Sequence, residues 1–114
     1  MTAHNYVTSL LGENQYQEAK SLTRKTVPVA RRFLGENHQT TLRMRWAYAR
    51  ALYRVPGATL DDLREAVTTL EDVQRTARRV LGGAYPLTKG IELTLRESRA
   101  ALRAQRGGIS IIEG

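Results

Sequence analysis

An all-α fold of antiparallel helical hairpins stacked side by side, about five helices in all, is what this sequence predicts, on three observations. Apolar residues recur at helical spacing along the whole chain, and no strand pattern competes outside the C-terminal tail. A segment is repeated: "ARRFLGENHQTTL" (30–42) returns as "ARRVLGGAYPLTK" (77–89), with Ala30/Ala77, Arg31/Arg78, Arg32/Arg79, Leu34/Leu81, Gly35/Gly82 and Thr41/Thr88 identical at a constant offset of 47 residues. Both copies change character at the glycine, where a helix gives way to a loop.

A short helix is expected over Ala3–Leu11. A long one follows, in which Asn14 can cap the start, with Gln17 at the capping-box position, and Tyr16, Ala19, Leu22, Val29, Ala30, Phe33 and Leu34 mostly keep helical spacing. Gly35 is placed to end it in the left-handed conformation, which costs glycine no steric penalty. Pro28 lies inside this helix and removes a backbone donor, so a kink is expected there.

The next helix covers roughly residues 40–54 and stops at "VPG", where Pro56 and Gly57 both discourage continuation. Thr59 and Asp62 form a T-x-x-D capping pattern that opens a further helix with the stripe Leu63, Ala66, Val67, Leu70, Val73, Ala77, Val80 and Leu81, closed by Gly82. Pro86 suits the first turn of the last helix, where Ile91, Leu95, Ser98 and Leu102 share one face. Hairpins of this kind cannot bury their faces alone. Repeated at a fixed offset, they read as a helical-hairpin solenoid.

The chain of 114 residues is one domain in size, read as a helical repeat domain over 1–106 and a Gly/Ile-rich tail over 107–114. It has no cysteine, which excludes disulfides and thiolate zinc sites. No apolar run approaches a membrane span, and the N-terminus lacks the basic flank and cleavage site of a signal peptide. An intracellular, cytoplasmic protein is expected. The net charge of +7 is one-sided: residues 1–60 carry nine Lys/Arg against three Asp/Glu, while residues 61–114 carry nine against eight. Such asymmetry suits an acidic protein, a nucleic acid or an anionic surface, and equally a solvated Arg-rich exterior.

The succession "YQEAKSL…ARRFLGENHQTTLRMRWAYARALY" resembles the tetratricopeptide repeat of the kinesin light chain type. Tyr16, Glu18 and Ala19 match its Y-x-E-A element, as do Leu63, Glu65 and Ala66 with leucine for tyrosine. Leu34, Gly35, His38, Thr41 and Leu42 match L-G-x-x-H-P-x-T-L with Gln39 in place of proline, whereas the later copy keeps Pro86 but has Tyr85 for the histidine. Ala49 and Tyr53 match the end of the following element. The resemblance covers about residues 4–104. It implies a short right-handed solenoid, no catalysis and no cofactor, and a concave groove that binds protein or peptide. Members line that groove with paired asparagines. Here Trp46 and Ala47 stand in their place, Asn5 is the one survivor, and the last copy has Leu93 and Thr94.

Beside those positions Arg43, Ala47, Arg50 and Arg54 are spaced i, i+4, i+7 and i+11, on one strip of a helix. If Ala47 faces the groove, the three arginines line it too, and guanidinium groups suit bidentate capture of carboxylates or phosphates. The competing reading is a solvated face with loose ion pairs. Trp46 either packs between helices or meets a ligand, and a single aromatic at helical spacing favours packing. The partner-binding set is therefore Asn5, Arg43, Trp46, Ala47, Arg50 and Arg54, and the partner an acidic protein or peptide.

Catalytic signals are thin. His4 and His38 fall on different elements without the partners a metal site wants, and His38 reads as a cap or loop residue. Asp61 and Asp62 sit at a helix start, where carboxylates favour the dipole. Two further readings stand beside the interaction module. Single-stranded RNA binding is disfavoured because Gly90, Thr94, Glu97 and Ala101 replace the basic strip in the next copy. A structural subunit held by its end faces and tail is the other. In "QRGGISIIEG", Gly107 and Gly108 are expected to break the last helix, and Ile109, Ile111 and Ile112 either fold back on the helices or dock to another chain.

Overall fold

The computed structural model describes the backbone of residues 15–113 and the side chains of residues 15–106. Among the described residues there are four α-helices and no strand: α1 (Tyr16–Leu34), α2 (Gln39–Arg54), α3 (Leu60–Leu81) and α4 (Pro86–Glu113). The helix expected over Ala3–Leu11, the cap assigned to Asn14, and Asn5 and His4 lie outside the described residues.

Each start and stop has a local cause. At α1 the N-cap position is Gln15, and the helix runs unbroken through Pro28 to Leu34. His38 caps α2, its Nδ1 accepting from the backbone N–H of Thr40 at 3.0 Å. Thr59 and Asp62 close the full capping box of α3, with reciprocal bonds of 3.1 Å that satisfy two otherwise orphaned N–H groups. Gly35 and Gly82 end α1 and α3 with positive φ, as glycine's placement implied. Their conformation differs from the expected left-handed helical one, however: φ/ψ is 91°/161° at Gly35 and 90°/155° at Gly82. That region is reached essentially by glycine alone. The helix α4 begins on Pro86 and continues through Gly107 and Gly108, where a break was expected; mid-helix glycine costs about 1 kcal/mol relative to alanine without forbidding the conformation. The side chains of Ile109, Ile111 and Ile112 lie outside those described.

The helices pack in sequence, α1 on α2, α2 on α3 and α3 on α4, with an additional contact between α2 and α4. Two apolar clusters result. One joins Ala19 and Val27 of α1 to Met44, Ala47 and Ala51 of α2. The larger one takes Leu42, Ala49 and Leu52 from α2, Ala66, Leu70, Val73 and Ala77 from α3, and Leu87, Ile91 and Leu95 from α4. Every helix but α2 thus has one covered face. The consequence is clearest on α1: Ala19, Thr23 and Val27 are its buried residues, while Val29 and Phe33, expected on the apolar stripe, are 54% and 75% exposed. They lie on the side of α1 turned away from α2.

One buried group was not anticipated. Arg45 is only 8% exposed, and its guanidinium meets the Asp72 carboxylate of α3 at 2.8 Å. That bond, first, and the charge of Arg45 hold the Asp72 carboxyl below the usual carboxylate range.

Candidate partner-binding face

Helix α2 is the central element, and its four sides have different neighbours. Met44, Ala47 and Ala51 face α1; Arg45 and Tyr48 reach the α3 acids Asp72 and Glu65, the Tyr48 hydroxyl donating to Glu65 at 2.6 Å. Toward α4, Trp46 and Tyr53 pack on the larger cluster. What is left is the side bearing Arg43, Arg50 and Arg54, the first two half-buried and the third exposed.

The strip predicted from spacing is one face, but its members are not equivalent. Arg54 is engaged: its guanidinium pairs with Glu97 of α4 at 3.1 Å and donates to the Tyr53 hydroxyl at 3.2 Å and the Tyr16 hydroxyl at 3.5 Å. The Tyr53 hydroxyl, first, and that of Tyr16 hold its proton more firmly than usual. Arg50 lies over the Trp46 ring at 5.8 Å from the centroid, a cation–π distance, and meets no acid among the described residues. The Arg43 side chain makes no hydrogen bond or ion pair among the described residues. Ala47, named with the partner-binding set, is buried against α1, where its small side chain lets two helices approach.

Trp46 resolves toward packing. Its indole N–H donates to Thr94 Oγ1 at 2.9 Å, and that hydroxyl in turn donates to the Gly90 carbonyl at 3.0 Å. Its outer edge still contributes, with Arg43, Tyr85, Pro86 and Leu87, to an open cleft of about 450 Å³ between α2 and the start of α4. Beside it the Gln39 amide donates to the Tyr85 hydroxyl at 3.0 Å, linking the two post-glycine turns.

Spacing alone misses two participants. Glu97, which by the 47-residue offset stands where α2 has Arg50, neutralises Arg54. The cleft wall of Tyr85, Pro86 and Leu87 comes from the second copy of the repeated segment, and only the packing of α4 against α2 brings it to Arg43. Among the described residues no group of three His, Asp or Glu side chains is placed to hold a metal ion, and no helix is long and apolar enough to cross a membrane.

Fold and face together define, among the described residues, an all-α protein of four packed helices with an arginine-bearing face beside an aromatic cleft. No protein-family model, curated protein or solved structure matches this chain.

Proposed function

We propose that this chain is a non-catalytic protein-interaction module, a short right-handed stack of hairpins of tetratricopeptide type, which takes an acidic segment of a partner protein along the free face of α2. The observation that carries the reading is the pair Arg43 and Arg50: two guanidinium groups on one face, seven residues apart, with no acid partner among the described residues and an aromatic-walled cleft beside them. Guanidinium groups left free beside apolar surface suit carboxylates flanking an apolar side chain. The motif resemblance, the α2–α4 contact across successive hairpins and the paired Gly35 and Gly82 turns support the architecture. An intracellular location accords with the absence of cysteine.

The test is a charge reversal, Arg43→Glu/Arg50→Glu, leaving Arg54 intact because it is tied to Glu97. Partners recovered from nuclease-treated extract on the unmutated chain are titrated against both forms at two salt concentrations. The reading requires affinity that falls with salt and falls at least tenfold in the variant, both being hallmarks of complementary charge. Unchanged affinity of a well-folded variant would reduce this face to a solvated surface. A second reading, a subunit held by its end faces, is favoured by the exposure of Val29 and Phe33 on α1, and it predicts that Phe33→Glu, not the arginine reversal, abolishes the complex.

A further inference from the structure

The outer face of α4 is a second and separate surface. By the 47-residue offset, the α2 residues that pack on α3 and α4 (Leu42, Ala49, Leu52) correspond on α4 to Lys89, Arg96 and Arg99. A face that is apolar and covered on α2 is thus cationic and uncovered on α4. Lys89, Arg96 and Arg103 stand seven residues apart on one side of the helix, all exposed, at an axial interval of about 10.5 Å. None of the three side chains forms an ion pair or a hydrogen bond among the described residues. The neighbouring charges are already committed: Glu92 to Arg78 at 2.7 Å, Arg99 to Glu71 at 2.8 Å. Between the cations lie Leu93, 52% exposed, and Ala100, also exposed.

We propose that this face of α4 docks an acidic amphipathic helix of a partner protein, which lies along the α4 axis, pairs carboxylates at seven-residue spacing with Lys89, Arg96 and Arg103, and covers Leu93 with an apolar side chain. Charge decides the occupant. A second copy seated face to face would oppose the same three cations to themselves. Seated head to tail it would bring them against the outer side of α1, where Lys25 and Arg32 flank Val29. Both arrangements are repulsive, which favours an acidic partner of different sequence. The apolar seam at Leu93 and Ala100, at the helical repeat of the cations, favours a protein helix over a phosphate backbone. The surface is independent of the α2 face: its residues project from a different side of a different helix.

The probe is a labelled, end-blocked synthetic peptide of three heptads, helical by composition, carrying Glu at every seventh position beside a Leu/Ala seam; its counterpart has Lys for each Glu. Fluorescence anisotropy is read for the full chain and for Arg96→Glu/Arg103→Glu, Leu93→Asp and Arg43→Glu/Arg50→Glu, each checked for native circular dichroism. The acidic peptide should bind the unmutated chain. Its affinity should fall at least about tenfold in the first two variants and stay unchanged in the third. The Lys peptide should bind only Arg96→Glu/Arg103→Glu. Should Arg96→Glu/Arg103→Glu lose helix, Arg96→Gln/Arg103→Gln replaces it with the same expected loss. The proposal is overturned by any of four results: no binding of the acidic peptide up to roughly 1 mM; equal binding of an unstructured peptide of the same charge; loss confined to the Arg43/Arg50 variant; or tighter binding of a double-stranded RNA oligonucleotide that the Arg96/Arg103 variant abolishes.

Discussion

The indole of Trp46 rests directly on the backbone of Gly90: a Cβ at position 90 would lie 2.8 Å from Trp46 Cη2 and 2.9 Å from Cζ2. Alanine is normally worth about 1 kcal/mol over glycine inside a helix. Here the sign should reverse. Gly90→Ala is expected to destabilise the chain by about 1–3 kcal/mol, because the ring is held by its bond to Thr94 and by the cluster behind it. Denaturant melts of Gly90→Ala, Trp46→Ala and the double variant check it. Sub-additive losses are expected, since removing the ring frees the space the methyl needs.

Gly35 and Gly82 should reject every side chain. With ψ near 160° at φ near 90°, even asparagine, which tolerates the left-handed helical region, gains nothing over alanine. Nothing lies within 4 Å of a Cβ at either site, so the cost is purely conformational. Gly35→Asn and Gly35→Ala should each lose about 1–3 kcal/mol by equilibrium unfolding. A clear advantage for asparagine would indicate a left-handed helical cap instead.

Acid should weaken the α3 contacts first. The Asp62 carboxyl is lowered by the Thr59 N–H it accepts from and by Lys20 at 3.5 Å, and that of Asp72 by Arg45. A carboxyl depressed in the folded state stabilises it above the unfolded-state value, about 3.9 for aspartate, and this contribution is lost as pH falls through the lower folded value. Stability should therefore drop below about pH 4, and Asp72→Asn should flatten that drop in urea melts taken across the range. At neutral pH the same change should cost about 1–3 kcal/mol, since the buried Arg45 loses its counter-charge while Asp72, the more exposed partner, keeps the pair partly solvated.

Arg54 should act on stability, not on binding. Arg54→Ala releases Glu97 together with the Tyr16 and Tyr53 hydroxyls, and for a pair about 40% exposed on both sides the loss should stay near 0.5–1 kcal/mol. A thermal melt set beside partner affinity separates the two roles. Arg54→Ala should lower the melting temperature and leave affinity for an acidic partner within about twofold.

Periodicity and punctuation carried most of the fold. The T-x-x-D box at Thr59, the proline at Pro86 and the two glycine stops are decided within a few residues of chain, so they are legible without tertiary information. What spacing could not show is which apolar stripe finds a neighbour. Phe33 sits at helical spacing with Ala30, yet points away from α2 because α1 carries two apolar sides and only one of them meets α2. The candidate face divides similarly. That Arg43, Arg50 and Arg54 share a side follows from 3.6 residues per turn. That Glu97 claims Arg54, and that Ala47 turns into the core, depends on how α4 and α1 lie against α2, which one helix's sequence does not contain. Gly90 is the plainest case: its reason lies 44 positions earlier, in the ring of Trp46.

The two glycine turns agree in more than their dihedral angles. The N–H of His38 donates to the Gly35 carbonyl at 3.4 Å and that of Tyr85 to the Gly82 carbonyl at 3.3 Å; Leu42 then bonds back to His38 at 3.0 Å and Lys89 to Tyr85 at 3.1 Å. The same backbone joint is made twice, out of "GENH" and "GGAY", segments that share only their first residue. A joint specified by one achiral residue and main-chain bonds is portable. It fixes how the next helix leaves the turn while placing no demand on the intervening side chains, so the surface beside it can differ without a change in the backbone. Helices α2 and α4 both follow such a joint, yet α2 is apolar toward α3 and α4 where α4 is cationic on the corresponding side: one backbone geometry carries two surface chemistries.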